Sequence, residues 1–484
     1  VAGVSRSSHR QRERVMSRER DSIGRRGVLG LGAAGLASAA LPASIANARP
    51  SVTPTKRPLA KNVIFVVVDG MSAGTFTLGE MMLDVRGKGP SNWSRLWERP
   101  GVRRAMCTTY SADGWVTDSA AAGSAWGIGE HINNGAINFT PDGRTPEPIL
   151  VTAKRLGKAT GLVTTTRVTH ATPASFIANA PKRAMESEIA RQIIGRGVDV
   201  VLGGGAKHFG PVLEAGERGA DGVPRIIRSR SDLIDSSSMG RTLLGLFDHD
   251  HMRYEIDRPE TQPSLAEMTR SVLGRLEKVP EGFVLQVEGG RVDHAAHAND
   301  AASLIADQIA FDNAVGVVAE WSTDRDDTLV IVTTDHGNAN PGLTFYGERG
   351  VASFERLAEA KHSFEWIFEA ASKGETFESL IESIQEAASV ELTSEEVSLL
   401  RLRFVEDAPI DPFDLANSKE AAIGSVLANH FGVAFLSPNH TSDLVEVTAF
   451  GPGSEAMPMR IDNTDLYHMA MASMTDAHAA PWGD

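Results

Sequence analysis

The chain has 484 residues, 42% hydrophobic and 23% charged, a balance that suits a soluble globular protein with a large buried core. Its formal net charge of −14 repels a nucleic-acid backbone over most of the surface, which argues against nucleic acid as main partner and requires local positive charge for any anionic substrate. Cys107 is the single cysteine, so an intramolecular disulfide and a thiolate metal cluster are excluded, and a metal site must use His and carboxylates.

Residues 1–48 read as an export leader. Arg25 and Arg26 precede an apolar, Gly/Ala-rich run from Val28 to Leu41, and Ala46-Asn47-Ala48 offers the small residues that a signal peptidase accepts. The run is too short to span a bilayer, so no stable membrane span is expected. Paired arginines resemble a twin-arginine signal, which makes the export machinery a partner and places the cleaved protein in the periplasm or outside the cell. Met16 is a plausible translation start, and 49–60 is a linker.

From Lys61 onward, short β-branched runs alternate with helical stretches, the pattern of an α/β fold whose central, mostly parallel sheet is flanked by helices. Strands are predicted at Val63–Val68, Gly161–Thr165, Val198–Leu202, Phe283–Val287, Leu329–Thr333 and Val445–Phe450. Helices are predicted at Ser264–Lys278 and Ala298–Trp321. Residues 345–428 break the alternation with charged, helix-rich sequence, including Glu355–Lys373, Thr376–Ala388 and a helix opened by Thr393. The α/β domain is therefore expected to comprise 61–344 and 429–484, with 345–428 as a helical insertion that covers or flanks the strands' carboxyl ends.

Three strands end in carboxylates: Asp69-Gly70, Glu288-Gly289 and Asp335-His336-Gly337. One Asp-Gly turn is unremarkable, but three at one sheet edge would repel one another without a cation. Asp293 and His297, four residues apart, suit one ion on a helical turn. Asn439-His440-Thr441 adds a further imidazole. Ser119, in Thr117-Asp118-Ser119-Ala120, precedes a small-residue helical run whose partially positive N-terminus favours a phosphoryl group. Taken alone, the same segment reads more readily as a helix cap by Asp118 or Ser119. Trp115 and Trp126 read as packing residues and Cys107 as a small buried one; His131, His208, His249, His251, His362 and His430 fall outside the ligand pattern.

With these segments in hand, the sequence resembles the alkaline phosphatase family. The resemblance runs in order through Lys61–Met71, Val116–Trp126, Ala171–Ala174, Val201–Phe209, Val287–Asp300, Thr328–Gly337, His440–Thr441 and Ala449–Glu455. It implies a metal-dependent phosphomonoesterase acting on small phosphate monoesters, with Ser119 as nucleophile through a phosphoserine. It implies one zinc at Asp293, His297 and His440, and a second at Asp335, His336 and Asp69 beside Ser119. A third divalent ion, usually magnesium, would lie at Asp69, Thr172 and Glu288. Arg183 falls where the family clamps substrate phosphate, a task suited to a planar guanidinium. His170 and His294 stand where the best-known bacterial members carry Asp and Lys, although other members carry His at both. That leaves open both the third ion's identity and whether these histidines ligate it or only support its ligands by hydrogen bonds. Diester hydrolysis on the same scaffold and an exported, non-catalytic metal- or phosphate-binding protein remain alternatives. The physiological ester and the oligomeric state, a homodimer included, also stay open.

Overall fold

The computed structural model describes residues 59–214, 224–236, 240 and 242–475; the leader and most of the linker lie outside them. In chain order the strands are β1 (Asn62–Val68), β2 (Arg103–Cys107), β3 (Ala159–Arg167), β4 (Val200–Gly204), β5 (Arg225–Ile227), β6 (Leu243–Leu246), β7 (Phe283–Gly289), β8 (Thr328–Thr334), β9 (Gly337–Asn338), β10 (Gly342–Leu343), β11 (Val433–Ala434), β12 (His440–Thr441), β13 (Val445–Phe450) and β14 (Arg460–Ile461). Ten form one sheet, ordered β14-β2-β13-β8-β1-β7-β3-β4-β6-β5. From β8 to β5 every pairing is parallel, whereas β13 runs antiparallel to β8 and β2. This is the expected mostly parallel sheet flanked by helices.

β1 shows why the sheet is buried on both faces. Its seven residues, Asn-Val-Ile-Phe-Val-Val-Val, are all buried, and the two-residue period of a strand sends alternate side chains to opposite layers. Val63, Phe65 and Val67 join a core with Trp126, Phe176 and Leu466, from helices and loops on one side. Ile64, Val66 and Val68 join Val272, Phe311 and Val315 on the other. The helix Ala301–Trp321 is long and apolar enough by composition to cross a membrane, but it lies in this second layer, largely buried against the sheet.

That helix starts later than the predicted Ala298 because Asn299 takes a left-handed conformation, φ 54°, and Asp300 caps a new start. The predicted Glu355–Lys373 helix is likewise two, Gly347–Leu357 and Phe364–Gly374, with Ser363 capping the second. Its companions Phe377–Ala388, Ser394–Phe404 and Lys419–Phe431 follow, the last running through residue 428. Phe354, Ile367, Ile384 and Leu400 pack with Leu78, Met82 and Ile305, forming a third apolar cluster beside the sheet layers.

Register explains how distant residues meet. β1 lies between β7 and β8, pairing Val67 with Glu288 and Val68 with Thr334. Asp69, Glu288 and Asp335 therefore emerge side by side at the carboxyl edge, where open α/β sheets collect ligands. His440 arrives because β12 pairs antiparallel with β9, immediately after His336.

Candidate active site

Ser119 is the first residue of the buried helix Ser119–Ile128. Asp118, not Ser119, caps it: Asp118 Oδ1 accepts from Ala121 N at 2.9 Å. The Ser119 hydroxyl is thus spared for another task and lies 3.3 Å from His336 Nε2. The helix has small side chains because it runs against Ala171–Ser175; a Cβ on Gly127 would come within 2.1 Å of the Ser175 carbonyl oxygen. Gly70 is required twice over, by its φ of +71° and by Asp293, whose Oδ1 would lie 2.5 Å from an added Cβ.

The expected first-zinc residues converge. His297 Nε2 and His440 Nε2 are 2.9 Å apart, and each is 3.4 Å from an oxygen of Asp293. His440 Nδ1 lies 2.8 Å from the Thr117 carbonyl and His297 Nδ1 2.6 Å from that of Pro438. A carbonyl only accepts, so both Nδ1 atoms carry protons and both Nε2 lone pairs face inward. Two such lone pairs at this separation require a cation or proton between them. Without a metal, a proton fills that role. Burial opposes charging His440, but the hydrogen bond and charge of Asp293 outweigh it and raise its pKa to about 9. Asp293, buried yet facing His297 and His440, is held well below the usual carboxylate range.

The second expected set also meets. His336 Nε2 lies 3.2 Å from Asp335 Oδ2 and 3.6 Å from Asp69 Oδ1. Asp335 Oδ1 accepts from Gly70 N and His336 N, each at 3.0 Å. Its other oxygen is buried without a hydrogen-bond partner, as are Asp69 Oδ1 and Glu288 Oε1. Burial, with the charges of neighbouring carboxylates, raises Asp69 strongly, Asp335 to about 7 and Glu288 to about 8. Buried acceptors without donors cost stability unless a cation meets them. Mixed imidazole and carboxylate donors are the set that divalent transition metals take. Asp69, Asp335 and His336 can each offer an atom to one ion, as can Asp293, His336 and His440.

At the third site Asp69 and Glu288 group with His170, while Thr172 Oγ1 is 3.5 Å from Asp69 Oδ2. His170 Nδ1 lies 3.8 Å from the same oxygen. Arg183 bridges Asp118 Oδ2 and His170 Nε2, both at 3.0 Å, so it is tied to the site and is not a free surface charge. His294 stands beside His170, ring centroids 5.5 Å apart. Burial first, then the Arg291 guanidinium, lowers its pKa to about 3.

Some contacts carried no signal in the sequence. His251, outside the ligand pattern, stacks edge-on against His294 with centroids 4.4 Å apart. Asp118 was legible as a helix cap, but its second role as the acceptor for Arg183 was not. Trp126 packs as expected, but Trp115 is 81% exposed. Four other outlying histidines have partners elsewhere: His131 meets Asp462, His208 Glu186, His362 Asp257 and His430 Glu396.

Sheet and site together define an α/β protein whose buried serine faces a cluster of His and carboxylate groups able to hold divalent metals. An alkaline phosphatase family model matches residues 60–476. Alkaline phosphatase 4 of Bacillus subtilis is 31% identical over 420 residues, covering 84% of this chain and 87% of the relative. The repressible alkaline phosphatase of Saccharomyces cerevisiae is 35% identical over 348 residues, covering 63% of this chain and 61% of its own length. The crystal structure of Thermus thermophilus alkaline phosphatase superimposes with a TM-score of 0.78 at 29% identity, covering 87% of this chain and 93% of that one. The chain belongs to the alkaline phosphatase family and is a metal-binding phosphoric monoester hydrolase.

Proposed function

We propose that Ser119 takes the phosphoryl group of a small phosphate monoester and that water then releases it. The observation carrying this reading is that Ser119 Oγ is freed from capping by Asp118 and lies 3.3 Å from His336 Nε2, beside the unpartnered carboxylates. Asp293, His297 and His440 would hold one zinc, Asp335, His336 and Asp69 a second, and Asp69, Thr172 and Glu288 a third ion, magnesium; these cations supply charge that eases ionisation of the serine and stabilises the departing oxygen.

The chain's own groups do the rest. Ser119 Oγ forms the bond to phosphorus as the bond to the leaving-group oxygen breaks, giving a phosphoserine. Water then forms the new P–O bond and the Ser119 oxygen departs. Arg183, mobilised from Asp118 and His170, presents its fork to two phosphoryl oxygens. The helix Ser119–Ile128 turns its N-terminus toward the same group. Catalysis is then mainly positioning and charge neutralisation. The leader-like residues 1–48, with paired Arg25 and Arg26, support export of the folded protein to the periplasm or the cell exterior.

Ser119→Ala is expected to lower phosphomonoester turnover by at least about 10³-fold while leaving metal content unchanged. Undiminished turnover, or faster cleavage of a bis-substituted diester by the unaltered enzyme, overturns the reading.

A further inference from the structure

Arg291 sits in the helix Arg291–His297, two residues before Asp293, and its side chain is only 5% exposed. A buried guanidinium is costly unless paired. Its partners come from two directions. Its charged face lies over the Tyr254 ring, 3.7 Å from the centroid, and Nη2 contacts Glu365 Oε2. Glu365 belongs to the helix Phe364–Gly374, within 345–428, and stands in its first turn, where negative charge is favourable. That helix end is itself fixed: Phe364 N donates to Asp300 Oδ2 at 2.8 Å and Ser363 N to Asp257 Oδ2 at 3.0 Å. Arg253 adds a second cation beside Glu365, at 3.6 Å.

Of the other two Arg291 nitrogens, Nε is buried without a hydrogen-bond partner and Nη1 lies 2.8 Å from His294 Nδ1. Guanidinium has donors and no acceptor, so Nδ1 must be the accepting nitrogen. In the neutral ring Nε2 then carries the proton. A nitrogen bearing a proton cannot ligate a cation; it can donate to an oxygen. We propose that Glu365 and Arg291 are positioning residues that fix His294 as an Nε2–H donor, and that the 345–428 segment thereby sets the hydrogen bonding of the active site. This makes His294 a hydrogen-bond donor through Nε2 and not a metal ligand. It rests on the phosphomonoesterase reading above for its kinetic consequence, but not for the tautomer.

The test uses the full-length, metal-loaded protein with ¹⁵N-labelled histidine, the His294 signal being assigned by its loss in His294→Gln. In the unaltered protein His294 is expected to show an unprotonated Nδ1 and a protonated Nε2. Arg291→Met should populate the Nδ1–H tautomer and lower kcat for p-nitrophenyl phosphate by roughly 10–100-fold, with a smaller change in KM. Arg291→Lys, which also only donates, should keep the tautomer and recover most of kcat. Glu365→Gln, at a side chain 43% exposed, should give an intermediate effect and serves if Arg291→Met does not fold. A protonated Nδ1 in the unaltered protein, or an unchanged tautomer and kcat in the folded variants, overturns the proposal. If Ser119→Ala kept full activity, the serine mechanism would fail while the tautomer signals still decided this one.

Discussion

At the ends of β1, β7 and β8, Asp69 Oδ1, Glu288 Oε1 and Asp335 Oδ2 lie buried without partners, whereas the helices beginning at Phe364, Phe377, Ser394 and Lys419 cap their first turns locally. Thr376 with Ser379, and Thr393 with Glu396, form reciprocal capping boxes, and Ser363 and Ser418 cap two more helices. One region removes polar atoms from water and leaves them wanting a ligand; the other caps four of its helices from within a few residues. The first arrangement is unfavourable for a metal-free fold and useful for binding cations. The second stabilises helices and asks for no cofactor. Arg291 and Glu365 join the two, because the self-sufficient region supplies the counter-charge for a buried group of the needy one.

The contrast is broken most strongly at Asp335. Asp335→Asn keeps an oxygen for Gly70 N and His336 N while turning the unpartnered oxygen into an amide donor near Asp69. Activity should fall by at least about 10²-fold, as expected for loss of a charged group that acts on the reacting centre. Yet the chelator-stripped variant should be more stable than stripped parent at pH 8, by about 1 kcal/mol, in urea unfolding. Lower stability of the stripped variant would mean that the carboxylate is not a burden in the absence of metal.

The next effect is in pH. Glu288 in the metal-free fold has a pKa of about 8, above the ordinary carboxylate value, so the folded state keeps a proton that the unfolded chain has lost. His440, raised to about 9, contributes stability that is present below its unfolded value and lost as pH rises through 9. Both signs agree: stripped protein should lose stability from pH 7 to 9. Loaded protein should not follow the Glu288 and His440 trend, because cations hold those groups deprotonated. The gap between loaded and stripped melting temperatures should therefore widen with pH in scanning calorimetry, and metal addition at pH 7 should release protons.

The smallest effect belongs to the other region. Thr393→Ala removes the acceptor for Glu396 N and half of a capping box, and should cost about 1 kcal/mol of stability with kcat unchanged. A large change in kcat would show that 345–428 acts on the site through more than the Arg291 contact.

Much of this was readable beforehand where physical signals are local. Apolar runs marked β1, β3, β7, β8 and β13, and the residues following them named Asp69, Glu288 and Asp335. That they share one edge depends on β1 lying between β7 and β8, which no local pattern declares. β2, β5, β6 and β14 escaped notice because they are short, with exposed arginines in β2 and a glycine in β6. Family resemblance supplied Arg183 and the ligand set of His440; the Asp118 contact and β12 pairing with β9 explain their places. The contacts of Asp118 with Arg183, His251 with His294 and Arg291 with Glu365 had no sequence signal, since the partners lie 65, 43 and 74 residues apart. The predicted long helices were too long because Asn299 and Ser363 break them, and a single left-handed residue or cap is a weak mark in an apolar pattern.

The most direct test is to mix loaded enzyme with a phosphomonoester, quench in acid, digest, and weigh the peptide holding Ser119 by mass spectrometry. Phosphate on Ser119 in the parent, and none on that peptide in Ser119→Ala, is the predicted result. Full turnover with Ser119 never phosphorylated, under quench conditions that preserve a phosphoserine standard, would contradict the account.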